Sequence, residues 1–382
     1  MQALVEHLLQ IPAMDWVKMV IMWVIGGILI FLAIKKDMEP TLLLPLGFGA
    51  ILVNLPLAAS TGVISTEGPI TTLFNAGIAN ELFPLLLFIG IGAMIDFGPL
   101  LSNPKLFLFG AAAQFGIFFT FSIAALISPM LGFDITDAAS VAIIGAADGP
   151  TSIFVAQYFN SKYMGAIMVA AYSYMALVPI IQPAAIKLVT TQKERRIKME
   201  YVQKDVSKTV RILFPIIVTV IAGLVSPNSV ALVGFLMFGN LIRECGVLDS
   251  LSETAQKVLA NLVTILLGLT IAARMNYEAF LTWQTIMILL LGLIAFIFDT
   301  IGGVLFAKLI NLFSKKKINP MIGAAGISAF PMSSRVIHKM GLKEDPQNFL
   351  LMHAAGVNVS GQIASVIAGG LIISLVEGIF LV

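Results

Sequence analysis

Asp148 has the chemistry that most needs explaining in this chain. It sits in Val141-Ala-Ile-Ile-Gly-Ala-Ala-Asp-Gly-Pro-Thr-Ser-Ile-Phe-Val155, a run with no other charge and a Gly149-Pro150 break directly after the carboxylate. A carboxylate at membrane depth costs at least ~2.5 kcal/mol even on a lenient insertion scale, so an intramembrane acid is first read as functional. The break adds weight, because freed backbone groups are tolerated at that depth only where they line a cavity or hold a ligand. The plainer alternative is an Asp that caps a helix whose first turn holds Thr151 and Ser152.

A second interrupted segment carries Asn319, Gly323, Ser328, Ser333, Ser334 and Arg335. The span after it carries Asn358, Ser360 and Gln362 in Gly356-Val-Asn-Val-Ser-Gly-Gln362. Carboxylate, amide, hydroxyl and backbone oxygens are hard ligands that suit sodium or protons, and no imidazole cluster points to zinc or iron. Close helix packing uses the same small residues and is the competing reading for Ser360 and Gln362. Arg335 falls on an apolar stretch and can grip a carboxylate bidentately, or it can snorkel to the cytoplasmic surface. His353 reads as an interhelical hydrogen-bonding residue. Asp299, in Phe296-Ile-Phe-Asp-Thr-Ile-Gly302, reads equally as a second functional acid or a paired packing residue.

Such residues need a membrane scaffold, and the composition supplies one. Of 382 residues, 58% are hydrophobic and only 12% charged, whereas soluble chains run near ~25% charged. The fold class is therefore an all-α polytopic membrane protein. A net charge of +2 with no basic, aromatic-interleaved patch gives nucleic acid nothing to bind. The lone Cys245 excludes an internal disulfide and a Cys-based metal site. Residues 1–16 mix Glu6, His7 and Asp15 among apolar residues and read as an interfacial segment, not a signal peptide.

Apolar windows long enough to cross a ~30 Å hydrocarbon core fall at 17–34, 40–58, 82–96, 105–128, 163–187, 208–226, 229–242, 258–275, 283–311 and 348–376. That predicts about ten transmembrane helices, plus two broken segments at 138–159 and 319–339. Basic residues gather at Lys35 and Lys36, from Lys187 to Arg211 (including Lys193, Arg195, Arg196, Lys198, Lys204 and Lys208), and at Lys315, Lys316 and Lys317. The positive-inside rule makes these loops cytoplasmic. All three share one side only if the broken segments enter and leave on the same face as re-entrant hairpins, which puts both termini outside.

The chain also repeats itself. Ile144-Gly-Ala-Ala147 recurs as Ile322-Gly-Ala-Ala325, and Pro150-Thr-Ser152 is echoed by Pro331-Met-Ser333. Ala93-Met-Ile-Asp-Phe97 pairs with Ala273-Arg-Met-Asn-Tyr277, Leu46-Gly-Phe48 with Val233-Gly-Phe235, and Met168-Val-Ala-Ala171 with Met352-His-Ala-Ala355. The pairs share order and spacing. The expected division is a first repeat over 1–190, a basic cytoplasmic linker over 191–207 and a second repeat over 208–382. With five crossings each, the repeats have inverted topology, the architecture of ion-coupled transporters with a site at the repeat interface.

Three motifs carry a family resemblance: Gly145-Ala-Ala-Asp-Gly-Pro-Thr-Ser-Ile-Phe154, Gly326-Ile-Ser-Ala-Phe-Pro-Met-Ser-Ser-Arg335 and His353-Ala-Ala-Gly-Val-Asn-Val-Ser-Gly-Gln362. Together they resemble the membrane-embedded beta subunit of sodium-pumping, biotin-dependent decarboxylases, the group that includes the oxaloacetate, methylmalonyl-CoA and glutaconyl-CoA enzymes. The resemblance spans essentially the whole chain. It implies a multi-pass subunit of a prokaryotic plasma membrane that receives carboxybiotin from a partner, releases CO2 with consumption of a proton, and couples this to sodium export. By motif, the family's functional positions fall on Asp148, Tyr174, Asn319, Gly323, Ser328, Arg335 and Asn358, with Tyr172 a rival to Tyr174.

On that resemblance, Asp148, Tyr174 and Arg335 are the expected catalytic set, with Arg335 orienting the carboxyl of carboxybiotin. Asp148, Asn319, Gly323, Ser328 and Asn358 are the expected sodium-binding set, with Na+ held at Asp148, Asn319, Ser328 and Asn358. Biotin comes from a partner, because Ile197-Lys-Met199 lacks the Ala-Met that should precede a biotinyl lysine. The implied partners are a carboxyltransferase alpha subunit, a biotin-carrier subunit, a small membrane subunit and further copies of this chain. A secondary sodium-coupled organic-anion transporter of the same architecture is the rival reading. A passive channel fits less well, since broken segments around one buried carboxylate suit alternating access.

Overall fold

The computed structural model describes residues 10–36, 40–56, 58, 68–200 and 205–380. Most of the expected interfacial segment, including Glu6 and His7, lies outside the described residues, as does Lys204. Among the described residues every regular element is a helix, as expected where no water is present to satisfy a sheet edge. The elements are α1 Ala13–Lys36, α2 Pro40–Val53, α3 Pro69–Gly77, α4 Leu82–Met94, α5 Pro104–Leu131, α6 Ile135–Ala142, α7 Gly149–Tyr158 and α8 Met164–Val189 in the first half. The second half holds α9 Lys208–Val225, α10 Val230–Glu244, α11 Asp249–Arg274, α12 Trp283–Phe313, α13 Met332–Glu344 and α14 Leu351–Phe380.

Each of the ten apolar windows is helical. Seven helices among the described residues are long and apolar enough to cross a membrane, or eight if α3 and α4, bent by 65°, form one span. The windows at 40–58 and 229–242 fold as α2 and α10, with 14 and 15 residues. At ~1.5 Å per residue neither reaches ~30 Å alone. Helix α3 was not anticipated, because its nine residues include Thr71, Thr72 and Asn75.

Both broken segments are hairpins whose ends meet. The first consists of α6, a 3-10 turn over Ile143–Ala146, and α7. At its mouth Ser161 Oγ donates to Asp137 Oδ1 at 2.7 Å, and the Phe133 and Tyr163 rings meet edge-on with centroids 5.0 Å apart. The second consists of a 3-10 stretch over Pro320–Gly326 followed by α13. Both of its ends touch one linker residue: Asn319 Nδ2 donates to the Arg195 carbonyl at 2.8 Å, and Arg195 Nε donates to Glu344 Oε1 at 2.6 Å. Each segment thus leaves on the side by which it enters.

The ion pairs Lys308–Glu194 at 3.0 Å, Lys198–Asp345 at 3.1 Å and Lys316–Glu200 at 3.3 Å tie the basic linker to the mouth of the second hairpin. Helix α8 separates the two mouths. Its 26 residues span about 39 Å, from Met164 beside Tyr163 to Val189, whose carbonyl accepts from Lys308 Nζ at 3.0 Å. The hairpins therefore open at opposite ends of α8. Their tips meet between, where the Ser328 N–H donates to the Ala146 carbonyl at 2.9 Å.

The halves pass through matching successions of elements. Helix α1 packs on α2 as α9 packs on α10; α4 packs on α10 as α2 packs on α11; α7 packs on α8 as α13 packs on α14.

Candidate functional site

The first hairpin places Asp148 at its tip. Ala147 is held at φ +51°, a left-handed conformation that costs an L residue roughly 1–2 kcal/mol and recurs at functional sites. This turn stops the 3-10 stretch and starts α7 in a new direction, with Asp148 as its N-cap. The capping alternative is thus realised geometrically. Thr151 N–H donates to Asp148 Oδ1 at 3.3 Å, and Thr151 Oγ1 donates to Oδ2 at 2.6 Å.

The cap is also part of a larger set. Ser365 Oγ, on α14, donates to Asp148 Oδ2 at 3.0 Å. Asp148, Thr151 and Ser365 are all buried. Two of the three donors are hydroxyls, each of which can rotate to offer a lone pair instead. A cation arriving at Oδ2 would therefore find oxygens that can change from donor to ligand.

Helix α14 lines the site with one face. Asn358, Gln362 and Ser365 stand at i, i+4 and i+7, the spacing of one helical stripe. Gln362 Nε2 donates to the Ser328 carbonyl at the second tip, and Ser328 Oγ donates to the Gly361 carbonyl at 3.0 Å. Asn358 Nδ2 donates to the carbonyls of Ala325 at 3.0 Å and Ile327 at 2.7 Å. Its buried Oδ1 has no partner among the described residues, and a buried acceptor left unmade costs about 1–3 kcal/mol.

Of the expected residues, the structure gathers Asp148, Ser328 and Asn358 around the meeting tips. Tyr174 points elsewhere: its hydroxyl donates to the Leu289 carbonyl of α12. The ring over the tip is that of Tyr172. A Cβ on Gly149 would run into it, which is why glycine stands next to Asp148, and the Tyr172 hydroxyl is buried with no hydrogen-bond partner among the described residues. Asn319 lies at the mouth of the second hairpin. Its amide donates to the Arg195 and Ile197 carbonyls and its Oδ1 accepts from Met321 N. Gly323 packs backbone to backbone against Gly303 of α12.

Arg335 is exposed and makes no ion pair among the described residues. It lines a cavity of about 740 Å³ with Pro179, Pro183, Lys187, Lys339 and Lys343. That volume suits a small organic ligand, and the basic lining suits an anionic one. Between the two prolines, Gln182 is buried and donates to Ser333 Oγ at 2.7 Å and the Ala324 carbonyl at 2.8 Å. One amide thus joins the wall of the basic cavity to the second broken segment. The mouth carries its own electrostatics, since the Arg195 hydrogen bond holds the Glu344 carboxyl below its usual range.

Sequence reasoning missed Ser365, Gln182 and the contribution of Thr151 beyond the cap. Ser365 had a signal, as it extends the Asn358 and Gln362 stripe by one turn. Gln182 had none beyond being a lone amide between two prolines.

A helical membrane protein with two re-entrant hairpins meeting at a buried carboxylate belongs to the class built for coupled ion movement. The chain is a member of the Na+-transporting oxaloacetate decarboxylase beta subunit family, which it matches over residues 18–376. It is 49% identical over 357 residues to the methylmalonyl-CoA decarboxylase subunit beta of Veillonella parvula, covering 94% of this chain and 93% of that protein. It is 49% identical over 358 residues to the glutaconyl-CoA decarboxylase subunit beta of Acidaminococcus fermentans, with the same coverage. A probable oxaloacetate decarboxylase beta chain of Vibrio cholerae is 44% identical over 413 residues, covering 94% and 95%.

Proposed function

We propose that this chain is the membrane subunit of a sodium-pumping, biotin-dependent decarboxylase of a prokaryotic plasma membrane, in which CO2 release from carboxybiotin drives sodium out of the cytoplasm. The observation that carries the reading is the meeting of two broken segments at Asp148, whose carboxylate is held by hydroxyls from two different elements. Family membership supplies the chemistry to which such a site is harnessed. The carboxyltransferase alpha subunit and the biotin-carrier subunit supply the carboxylated carrier. A small membrane subunit and further copies of this chain complete the assembly.

In this reading sodium is the cargo. Asp148 supplies the charge, and Thr151 Oγ1, Ser365 Oγ and Asn358 Oδ1 supply neutral oxygens. Ser328 joins the two tips, so ligand exchange at Asp148 is felt by both hairpins. The opposed mouths support two inverted repeats, 1–190 and 208–382, rocking about the tips to expose the site alternately. Asn319 and Gly323 serve the same motion as hinge and contact points of the second hairpin.

Arg335, with Lys187 and Lys339, binds the carboxyl group on the cytoplasmic side. Loss of CO2 from a carboxylated ureido nitrogen leaves that nitrogen to take a proton. Tyr172, whose hydroxyl is unspent and whose ring covers the tip, is the phenol placed to relay one with Asp148. Tyr174 supports α8 against α12. Moving one charge against 100 mV costs ~2.3 kcal/mol, so CO2 release and sodium exit must be strictly linked.

The test uses the complete complex in lipid vesicles. Adding this chain to the soluble partners should make CO2 release from carboxybiotin sodium-dependent, and Arg335→Ala should slow that release more than it weakens sodium binding. Unchanged carboxybiotin turnover, together with sodium-coupled uptake of an organic anion by this chain alone, would establish the transporter reading instead.

A further inference from the structure

Asp299 is a second acid within the helical core, and nothing in the site above uses it. Helix α5 is interrupted at Gln114, and the Ile117 N–H just beyond donates to Asp299 Oδ1, across from α12, at 3.1 Å. Asp299 is wholly buried, and its Oδ2 has no hydrogen-bond partner among the described residues. That oxygen faces the first broken segment, where a Cβ on Gly145 would fall 2.6 Å from Oδ2 and 2.7 Å from Ala295 Cβ. Gly145 precedes Asp148 by three residues, so two carboxyls flank one break. Thr120 on α5 and Thr300 on α12 also carry buried hydroxyls without hydrogen-bond partners among the described residues.

We propose that Asp299 is a second cation site, one that carries a proton, facing the first broken segment from α12. An ionised carboxylate here would lack a counter-charge, since the ion pairs among the described residues all lie elsewhere. Isolated buried charge is relieved by neutralisation or pairing. Sodium demands several oxygen ligands, whereas no hydroxyl or amide is hydrogen-bonded to Oδ2 among the described residues; a proton needs only the carboxyl. The titratable groups on elements packed against α12 are Lys105 on α5, Asp137 on α6, Asp148 beyond the 3-10 turn, and Tyr172, Tyr174 and Lys187 on α8. None is hydrogen-bonded to Asp299. Uptake converts carboxylate and a proton from water to carboxyl, and release reverses it. Because Oδ2 abuts the segment that ends in Asp148, movement of that segment changes the surroundings of the proton site. This inference extends the proposed function, since the coupling it describes presumes that Asp148 binds the cation.

Infrared spectra of the complex in vesicles at neutral pH should show the carbonyl stretch of a protonated carboxyl. The band should persist in Asp148→Asn, vanish in Asp299→Asn, and shift in Asp299→Glu, which serves if the amide variant does not fold. Asp299→Asn keeps an acceptor for Ile117 N–H, so it should melt like wild type while sodium-dependent turnover and proton uptake fall at least about tenfold. Wild-type protein without the band overturns the proposal, as does Asp299→Asn with wild-type turnover and proton uptake. Asp299→Asn fully active beside an inactive Asp148→Asn refutes the second site alone, whereas both fully active refutes the Asp148 reading as well.

Discussion

Asp148→Asn separates charge from shape at the meeting of the two hairpins. The amide keeps an oxygen for Thr151 N–H and replaces Oδ2 with an NH2 group. Thr151 Oγ1 at 2.6 Å and Ser365 Oγ at 3.0 Å can both turn to accept from it. Exchanging each charge-assisted bond for a neutral one costs about 1 kcal/mol, and relief of a buried charge opposes that loss. Folding should therefore change by no more than about 2 kcal/mol. The cation loses more: a unit charge at 4 Å in an effective dielectric of 20 contributes about 4 kcal/mol. With the amide dipole restoring part of this, a net loss of about 2–3 kcal/mol raises the sodium concentration for half-maximal turnover roughly 30- to 150-fold. Sodium-dependent CO2 release and sodium uptake, measured on the same vesicles, should fall together while thermal melting stays near wild type. A folded variant with the wild-type sodium requirement would refute the assignment.

Three further outcomes follow from the geometry. Gly149→Ala drives a methyl into the buried Tyr172 ring and should destabilise the tip by about 1–3 kcal/mol, lowering melting and sodium-dependent turnover together; Tyr172→Phe should keep the melting temperature and slow CO2 release, and wild-type rates there would remove the phenol from the relay. Arg195 holds Glu344 below its ordinary value of 4.5, so this pair stabilises fully above pH 4.5 and less as the pH falls through the lower folded value; wild type and Glu344→Gln should differ in melting temperature at neutral pH and converge in acid, and a constant difference would refute it.

The sequence by itself determined the lipid setting, the ten apolar segments, the two broken ones and the place of the Asp148 carboxylate at a break. These are legible because hydrocarbon solvent forces long apolar helices and makes a lone carboxylate or a Gly-Pro break conspicuous. It also marked Asn358, Ser360 and Gln362 as polar residues of one apolar span. Tertiary structure alone decided which oxygens meet. Tyr172 and Tyr174 are two residues apart and so lie on different sides of α8, and only packing shows that Gly149 receives the ring of the first while Leu289 receives the hydroxyl of the second. Asn319 and Arg335 lie in the same broken segment as Ser328 and, by the family resemblance, in one functional set with it. The hairpin carries them to its mouth and to a basic cavity instead, since a segment that returns on itself puts its tip and its ends about half a membrane apart. Ser365 lies 217 positions from Asp148, and no local pattern can report a contact made by the meeting of two chain halves.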